Sequence, residues 1–493
     1  MVYMNSYKGQ NWLIPQSIKD MIPKNHICFF VEEFVESLDF SGFDMINEGP
    51  GHPSYHPRII MKILLQGMLS RERASRKIAS ACKENFVFMY LAEKVQPNFR
   101  TICRFRADNA EFIKEVFKET VKLASENNLI DLNLICTDGS KVKANASKKK
   151  FFTKEQFERL DSIIERMIEE DIKQDEVDKI IGENEDGLTD FEAKNLKEIV
   201  RIYKKSKNKE RAKENYNRVK KEFYKEEGLK KVSLTDPDCR IVKHNSGASN
   251  LVYNAQFTVD AKNQIILAND VCQDVDDYGQ LEPQLNQTKD NIQLKKDTKL
   301  AADCGYNSGK NLNFLEKEGI VGYIPNREQA KNGKQKLKFD NYEYDEKTDE
   351  IISDGMRFKY SGTYYHKKDK YRFHRYRNKK FKLNRHVPEL FRERLRMKAR
   401  LETKEGKMTY DIRKFTVEPV IGNIKYNLGF REFLLRGLKN AKTEINIAST
   451  AHNLKKIWKA KIILRADCGI KEVIFEFLGC EPKIKCDTAW SLT

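Results

Sequence analysis

Three carboxylates stand in contexts that suit chemistry: Asp138 in TDGSKVKANAS, Asp303 in AADCGYNSG and Glu418 in YDIRKFTVEPVIGNIK. The first two close the apolar runs 132–138 and 298–303, which read as strands ending in an acid. Strand ends in an α/β sheet are where sites gather. A glycine follows each within two residues (Gly139, Gly305) and permits close approach. Glu418 and Lys425 lie seven residues apart, a helical spacing that returns to nearly the same face. Three converging carboxylates repel unless a divalent cation lies among them, and hard oxygen ligands suit Mg²⁺ or Mn²⁺. Two such ions roughly 4 Å apart can activate a water or a 3′-hydroxyl for phosphodiester transfer. Taken singly, each acid is better explained as a cap, a turn or a surface ion pair.

The charge says which partner to expect. The chain of 493 residues carries 91 Lys+Arg against 73 Asp+Glu, a net +18, which disfavours a small-metabolite enzyme and points to a polyanion. The excess is local. Residues 357–400 hold 17 Lys/Arg against 3 Asp/Glu, interleaved with nine Tyr and Phe. Cations beside rings that stack on bases fit nucleic acid, and Arg372, Arg375 and Arg377 are its candidate contacts. Alternating strands also segregate rings from charges for purely structural reasons.

Around these residues the chain reads as helical over 1–130, with amphipathic stretches at 27–38, 59–68 and 74–91 and a long helix capped by Asp108 or Asn109. The stretch after Pro97 would turn Ile102 and Phe105 inward and Arg100, Arg104 and Arg106 outward. It reads either as the reading element of a helix-turn-helix or as a helix with a solvated basic face. Residues 148–231 hold 23 basic and 21 acidic residues and read as solvated helices with a turn at 182–187. A hairpin turning at Lys262-Asn263, a helix at 279–288, a helix at 309–318 and a strand at 320–324 make an α/β layer with a mixed sheet. Residues 326–386 alternate as β structure, and a helical tail follows from 387 to about 465. Pro419 suggests a helix beginning near Glu418, or a kinked one.

The sequence resembles the DDE-type transposases of bacterial insertion sequences. The match is carried by HPSYHPRIIMKILLQGMLSRERASRKIASACKEN…PNFRTICRFR, TDGSKVKANAS, YNAQFTVDAKNQIILANDVCQDVDD, ADCGYNSG and the stretch YDIRKFTVEPVIGNIKYNLGFREFLLRGLKNAKTEINIASTAHNLKKI, with its Tyr-Arg-Glu-Lys signature. The resemblance implies an α/β fold with an RNase H-like mixed sheet. It divides the chain into a helical DNA-binding module at 1–130, a catalytic domain at 131–465 with a charged helical insertion at 148–235 and a basic β-rich insertion at 326–386, and a tail at 466–493. It makes Asp138, Asp303 and Glu418 the catalytic, metal-binding acids, and Tyr410, Arg413 and Lys425 contacts to the DNA backbone. Four residues separate Arg413 from Glu418, where the usual signature has three. No cysteine lies between Gly305 and Asp467, so the zinc-binding cluster of some relatives is not expected.

The expectation is a DNA transposase that binds terminal inverted repeats, cuts with Mg²⁺ (or Mn²⁺) and transfers strands to target DNA, working as a homodimer in a synaptic complex. The alternatives are an inactive DNA-binding descendant and an RNase H-like nuclease that does not join strands. The ten cysteines are scattered and no apolar run approaches a membrane span, which suits a cytoplasmic, nucleoid-associated bacterial protein. His52 and His56, four apart among prolines, read as structural, as do Trp12, Trp458, Trp490 and Cys304.

Overall fold

The computed structural model describes residues 17–46, 55–147, 151–155, 157, 158, 161, 209–225, 229, 231–233, 235–243, 249–326, 342–345, 347–366, 371–388 and 390–478. His52, Trp12, Trp490 and most of the 148–231 segment, including its turn, lie outside the described residues, as does the tail beyond 478.

Among the described residues, seven α-helices precede the first strand: α1 (Ile27–Glu36), α2 (Ser41–Ile46), α3 (Pro57–Leu69), α4 (Ser75–Glu84), α5 (Phe86–Leu91), α6 (Phe99–Asp108) and α7 (Ala110–Glu126). His26 and His56 are N-caps, accepting from the N–H groups of Cys28 and Arg58. The stretch expected as one helix at 74–91 is two. Asn85 takes an extended conformation and its Oδ1 accepts from Val87 N (2.9 Å) and Phe88 N (3.4 Å), so its side chain starts a new helix.

The main sheet joins β1 (Leu134–Lys143), β4 (Arg240–Lys243), β5 (Ser249–Asp260), β6 (Ile266–Cys272), β7 (Lys299–Ala302) and β8 (Val321–Tyr323). Its order is β6-β5-β1-β7-β8, with β4 beside β6 along β5. β1, β7 and β8 are parallel, and β5 runs against both β1 and β6. The helices α9 (Leu281–Asn291) and α10 (Gly309–Lys317) connect β6 to β7 and β7 to β8. The charged excursion contributes β2 (Phe151–Thr153), α8 (Lys209–Lys225) and β3 (Lys231–Ser233) among the described residues.

The second sheet is antiparallel and consecutive: β9 (Glu343–Asp345), β10 (Glu350–Ser353), β11 (Met356–His366), β12 (Tyr371–Asn378) and β13 (Leu383–Pro388). Ile351, Phe358, Tyr376 and Val387 bury one face against Phe391 of α11 (Phe391–Glu402). α11 also packs on α10 and β8, so this sheet attaches two strands away from β1.

The expected helical tail is α12 (Lys404–Gly422), a π turn at Asn423–Asn427, a loop, and then α13 (Leu438–Leu478). Pro419 lies inside α12 rather than at its start. A proline there leaves the carbonyl four residues back without its helical donor, and Gln264 Nε2 donates to that Phe415 oxygen at 2.9 Å. α13 runs through position 466 without a break. Packed on α7, α3 and β6, it makes one core shared by the opening helices and the sheet, from Ile22 to Ile457. It also covers the edge of β6, where the Asn453 amide accepts from Ile266 N and donates to Ile266 O, both at 2.9 Å. No helix of the described residues is long and apolar enough to cross a membrane.

A buried ion pair ties the opening helices to the loop before α13. Arg73 donates to Glu444 (3.2 Å), Gly429 O and Glu432 O and lies 4.0 Å over the Phe430 ring, while Glu444 also accepts from Leu434 N. Glu444→Ala leaves the Arg73 charge buried without its carboxylate. Urea denaturation should show a loss of about 3–5 kcal/mol.

Candidate active site

The register of β1 decides where the acids meet. Thr137 pairs with Ala302 in the parallel ladder, which stops there because Asp303 turns the chain into a short 3₁₀ helix, its Oδ1 accepting from Cys304 N at 2.6 Å. Asp138 and Asp303 are therefore neighbours at the carboxyl end of the parallel strands. The expectation that β1 ends in its acid is corrected: β1 continues to Lys143, held by β5, and Asp138 lies in mid-strand.

α12 packs across β1, β5 and β7 and brings the third acid. Arg413, 7 % exposed, donates through one terminal nitrogen to Asp138 Oδ2 (2.8 Å) and through the other to Glu418 Oε1 (3.3 Å). Its guanidinium lies 5.5 Å from the Tyr410 ring. The irregular signature spacing thus does not keep Arg413 from Glu418, but Arg413 faces the carboxylates instead of presenting itself to solvent. The Glu418 side chain is 51 % exposed and meets Asp138 only through that arginine. Among the described residues, no three His, Cys, Asp or Glu side chains are grouped closely enough to hold a metal ion as they stand.

Lys425, on the π turn, donates to Ser140 Oγ and to Lys141 O (3.1 Å), which pins the turn to β1 just beyond Asp138. Burial lowers its pKa, against the pull of Asp138. The π turn is braced from behind by His452, whose pKa burial lowers to about 4. That neutral ring accepts from Asn423 Nδ2 (2.8 Å) and donates from Nε2 to Gln264 O (2.9 Å).

One acid escaped the sequence reading. Asp277, in the loop after β6, accepts from Asn254 Nδ2 and Gln256 Nε2, each at 2.7 Å, and faces Lys141 Nζ at 3.5 Å. Its only signal was its place in the acidic run QDVDD. Gly139 makes room for it, since a Cβ there would lie 2.4 Å from Asp277 Oδ1. Gly305 is less constrained: a Cβ there would make ordinary contact at 3.5 Å. Burial is the main cause that pushes the Asp138 carboxyl up to about 6, with Asp303 and Asp277 adding to it and Arg413 and the Gly139 N–H opposing it.

The other expected contacts divide. Arg100 and Arg104 are exposed on α6, beside Arg76, whose guanidinium lies 4.9 Å from the Phe99 ring, in a groove floored by Leu434 and Leu435. Arg106 does not face outward. It is buried and donates to Arg73 O (3.3 Å) and Ser75 Oγ, because α6 turns that position onto the start of α4. On β12, Arg375 and Arg377 share the outer face, whereas Arg372 falls on the opposite face by the two-residue period. A bulge between Tyr360 and Gly362 returns Tyr364 to that outer face, where it stacks on Phe373 (6.0 Å) beneath Arg375 (5.3 Å).

Two family models match the chain: "Transposase domain (DUF772)" over residues 16–108 and "Transposase DDE domain" over residues 368–458. The first ends with α6, and the second contains Tyr410, Arg413, Glu418 and Lys425. No curated protein matches the chain.

The raised Asp138 carboxyl makes a prediction about pH. An unfolded aspartate titrates near 4, so between about pH 4 and 6 the folded chain holds the extra proton and stability falls as pH rises. Urea denaturation from pH 4 to 7 should show about 2–3 kcal/mol of such loss, and Asp138→Asn should lack that component.

Proposed function

Starting from a DDE-type insertion-sequence transposase, as the two matches indicate, we propose that this chain binds the terminal inverted repeats of its element and cuts and joins DNA at Asp138, Asp303 and Glu418. The observation that carries the reading is the register that sets Asp138 beside Asp303 while α12 brings Glu418 to the same side chain, Arg413. The strand order, three antiparallel strands followed by two parallel to the first, supports an RNase H-like core. On this reading residues 1–130 form a DNA-binding module, 131–465 the catalytic domain with its two insertions, and 466–493 a tail.

The donor set fits a hard divalent cation. Asp138 and Asp303 are adjacent carboxylates; burial is the main cause that raises the Asp138 pKa and Asp303 adds to it, while a guanidinium now supplies positive charge there. Asp138, Asp303 and Glu418 would hold Mg²⁺ or Mn²⁺, which supplies activation of the attacking oxygen and charge for the leaving one. Tyr410 and Lys425 flank these acids and orient the DNA backbone. Lys425 suits this because it is anchored to β1 two residues from Asp138. Asp277 positions Gln256 and Asn254 beneath Gly139. The exposed Arg100 and Arg104 contact the terminal DNA, and the outer face of the second sheet, with Arg375 and Arg377 beside stacked rings, grips the phosphates. Two copies hold two ends in a synaptic complex.

The test is cleavage of linear DNA bearing the element's ends, with Mg²⁺ or Mn²⁺. Asp303→Ala should cut at least about 10³-fold more slowly while binding the same DNA within about twofold. Equal cutting by the variant, or binding without cutting by the parent, sinks the reading. A second measurement addresses the basic sheet. Arg375→Ala and Arg377→Ala should each lower the slope of log affinity against log salt by about 1, for any DNA sequence.

A further inference from the structure

The guanidinium of Arg413 is divided in an unusual way. A planar fork grips one carboxylate or phosphate best through two parallel N–H bonds. Here its terminal nitrogens serve two different acids, Asp138 at 2.8 Å and Glu418 at 3.3 Å. Its Nε–H is buried with no acceptor. An unpaired buried donor costs free energy, so this pairing leaves part of the fork's capacity unused. The same guanidinium stands between the two carboxylates that a divalent ion would draw together. Arg413 cannot shed its charge, so it leaves this position only by moving.

We propose that Arg413 is the counter-cation of the metal-free site, that a divalent ion displaces it from Asp138 and Glu418, and that its release frees the fork for a backbone phosphate. Metal and DNA then bind cooperatively, because the ion undoes the pairing that withholds Arg413 from DNA. The inference rests on the functional reading above, in which Asp138 and Glu418 are ligands. Exposed Glu418, at 3.3 Å, is the weaker hold, and half-buried Asp138, at 2.8 Å, the stronger.

The experiment uses the full chain without cleavage. Calorimetric titration with Mn²⁺, in the absence of DNA, compares the parent with Arg413→Gln and Arg413→Lys. Removing the competing cation should tighten Mn²⁺ binding about tenfold in Arg413→Gln and by a smaller factor in Arg413→Lys, which keeps one donor group for one acid. Should the glutamine variant fail to fold, as judged by its circular dichroism, the lysine variant carries the comparison. Binding of end DNA with and without Ca²⁺ gives the second readout: about a tenfold gain for the parent and under twofold for Arg413→Gln. Equal or weaker Mn²⁺ binding by the folded variants overturns this inference and leaves the catalytic reading intact. A parent that binds no Mn²⁺ overturns the catalytic reading itself.

Discussion

Like charges crowded at the end of one parallel ladder are the constraint that the rest of this structure answers. Burial adds the largest part to the cost of ionising Asp138, and Asp303 and Asp277 add to it. The answer is cationic. Arg413 enters between Asp138 and Glu418, Lys141 faces Asp277, and Lys425 is tied to β1 close by. Without these cations the like charges would face one another unopposed, and without the acids three buried or half-buried cations would lose their partners.

Delivering those cations places demands on distant elements. α12 must cross β1 at one rotation, which it keeps despite Pro419 because Gln264 occupies the carbonyl that the proline abandons. Gln264 lies in the β5–β6 turn, and its own backbone oxygen accepts from His452, which braces the π turn bearing Lys425. A π turn shifts the side chains after it by about 100°, the angle of one residue on a helix. Lys425 lies within this turn, so the simple seven-residue α-helical spacing from Glu418 does not describe the geometry. The opening helices take part as well, since Arg73 holds the loop between the π turn and α13. Core packing is continuous between segments whose sequences read as separate modules.

The basic surfaces are arranged with the same economy. The basic sheet buries its aromatic core against α11 and turns its second set of rings outward with Arg375 and Arg377. A single bulge produces that second set by resetting the alternation of β11. In α6, Arg106 is spent on structure, anchoring α4, while Arg100 and Arg104 stay exposed. Charge density alone does not distinguish these roles.

Sequence by itself determined the strand and helix types, the α/β class, the location of the charge excess and the two acids that close apolar runs. These follow from short-range periodicity and composition, which act within a few residues. It also carried the family through ordered motifs, with Glu418 and Lys425 among them. Only the tertiary structure decided the register that sets Asp138 beside Asp303, the continuation of β1 past its acid, the inward turn of Arg106 and the entry of Asp277. Each depends on partners far away in sequence: β5 for β1, Arg73 and Ser75 for Arg106, and the glycine-opened space over Asn254 and Gln256 for Asp277. Pairing across 275 residues put Arg413 on Asp138, and no local pattern encodes a contact of that range.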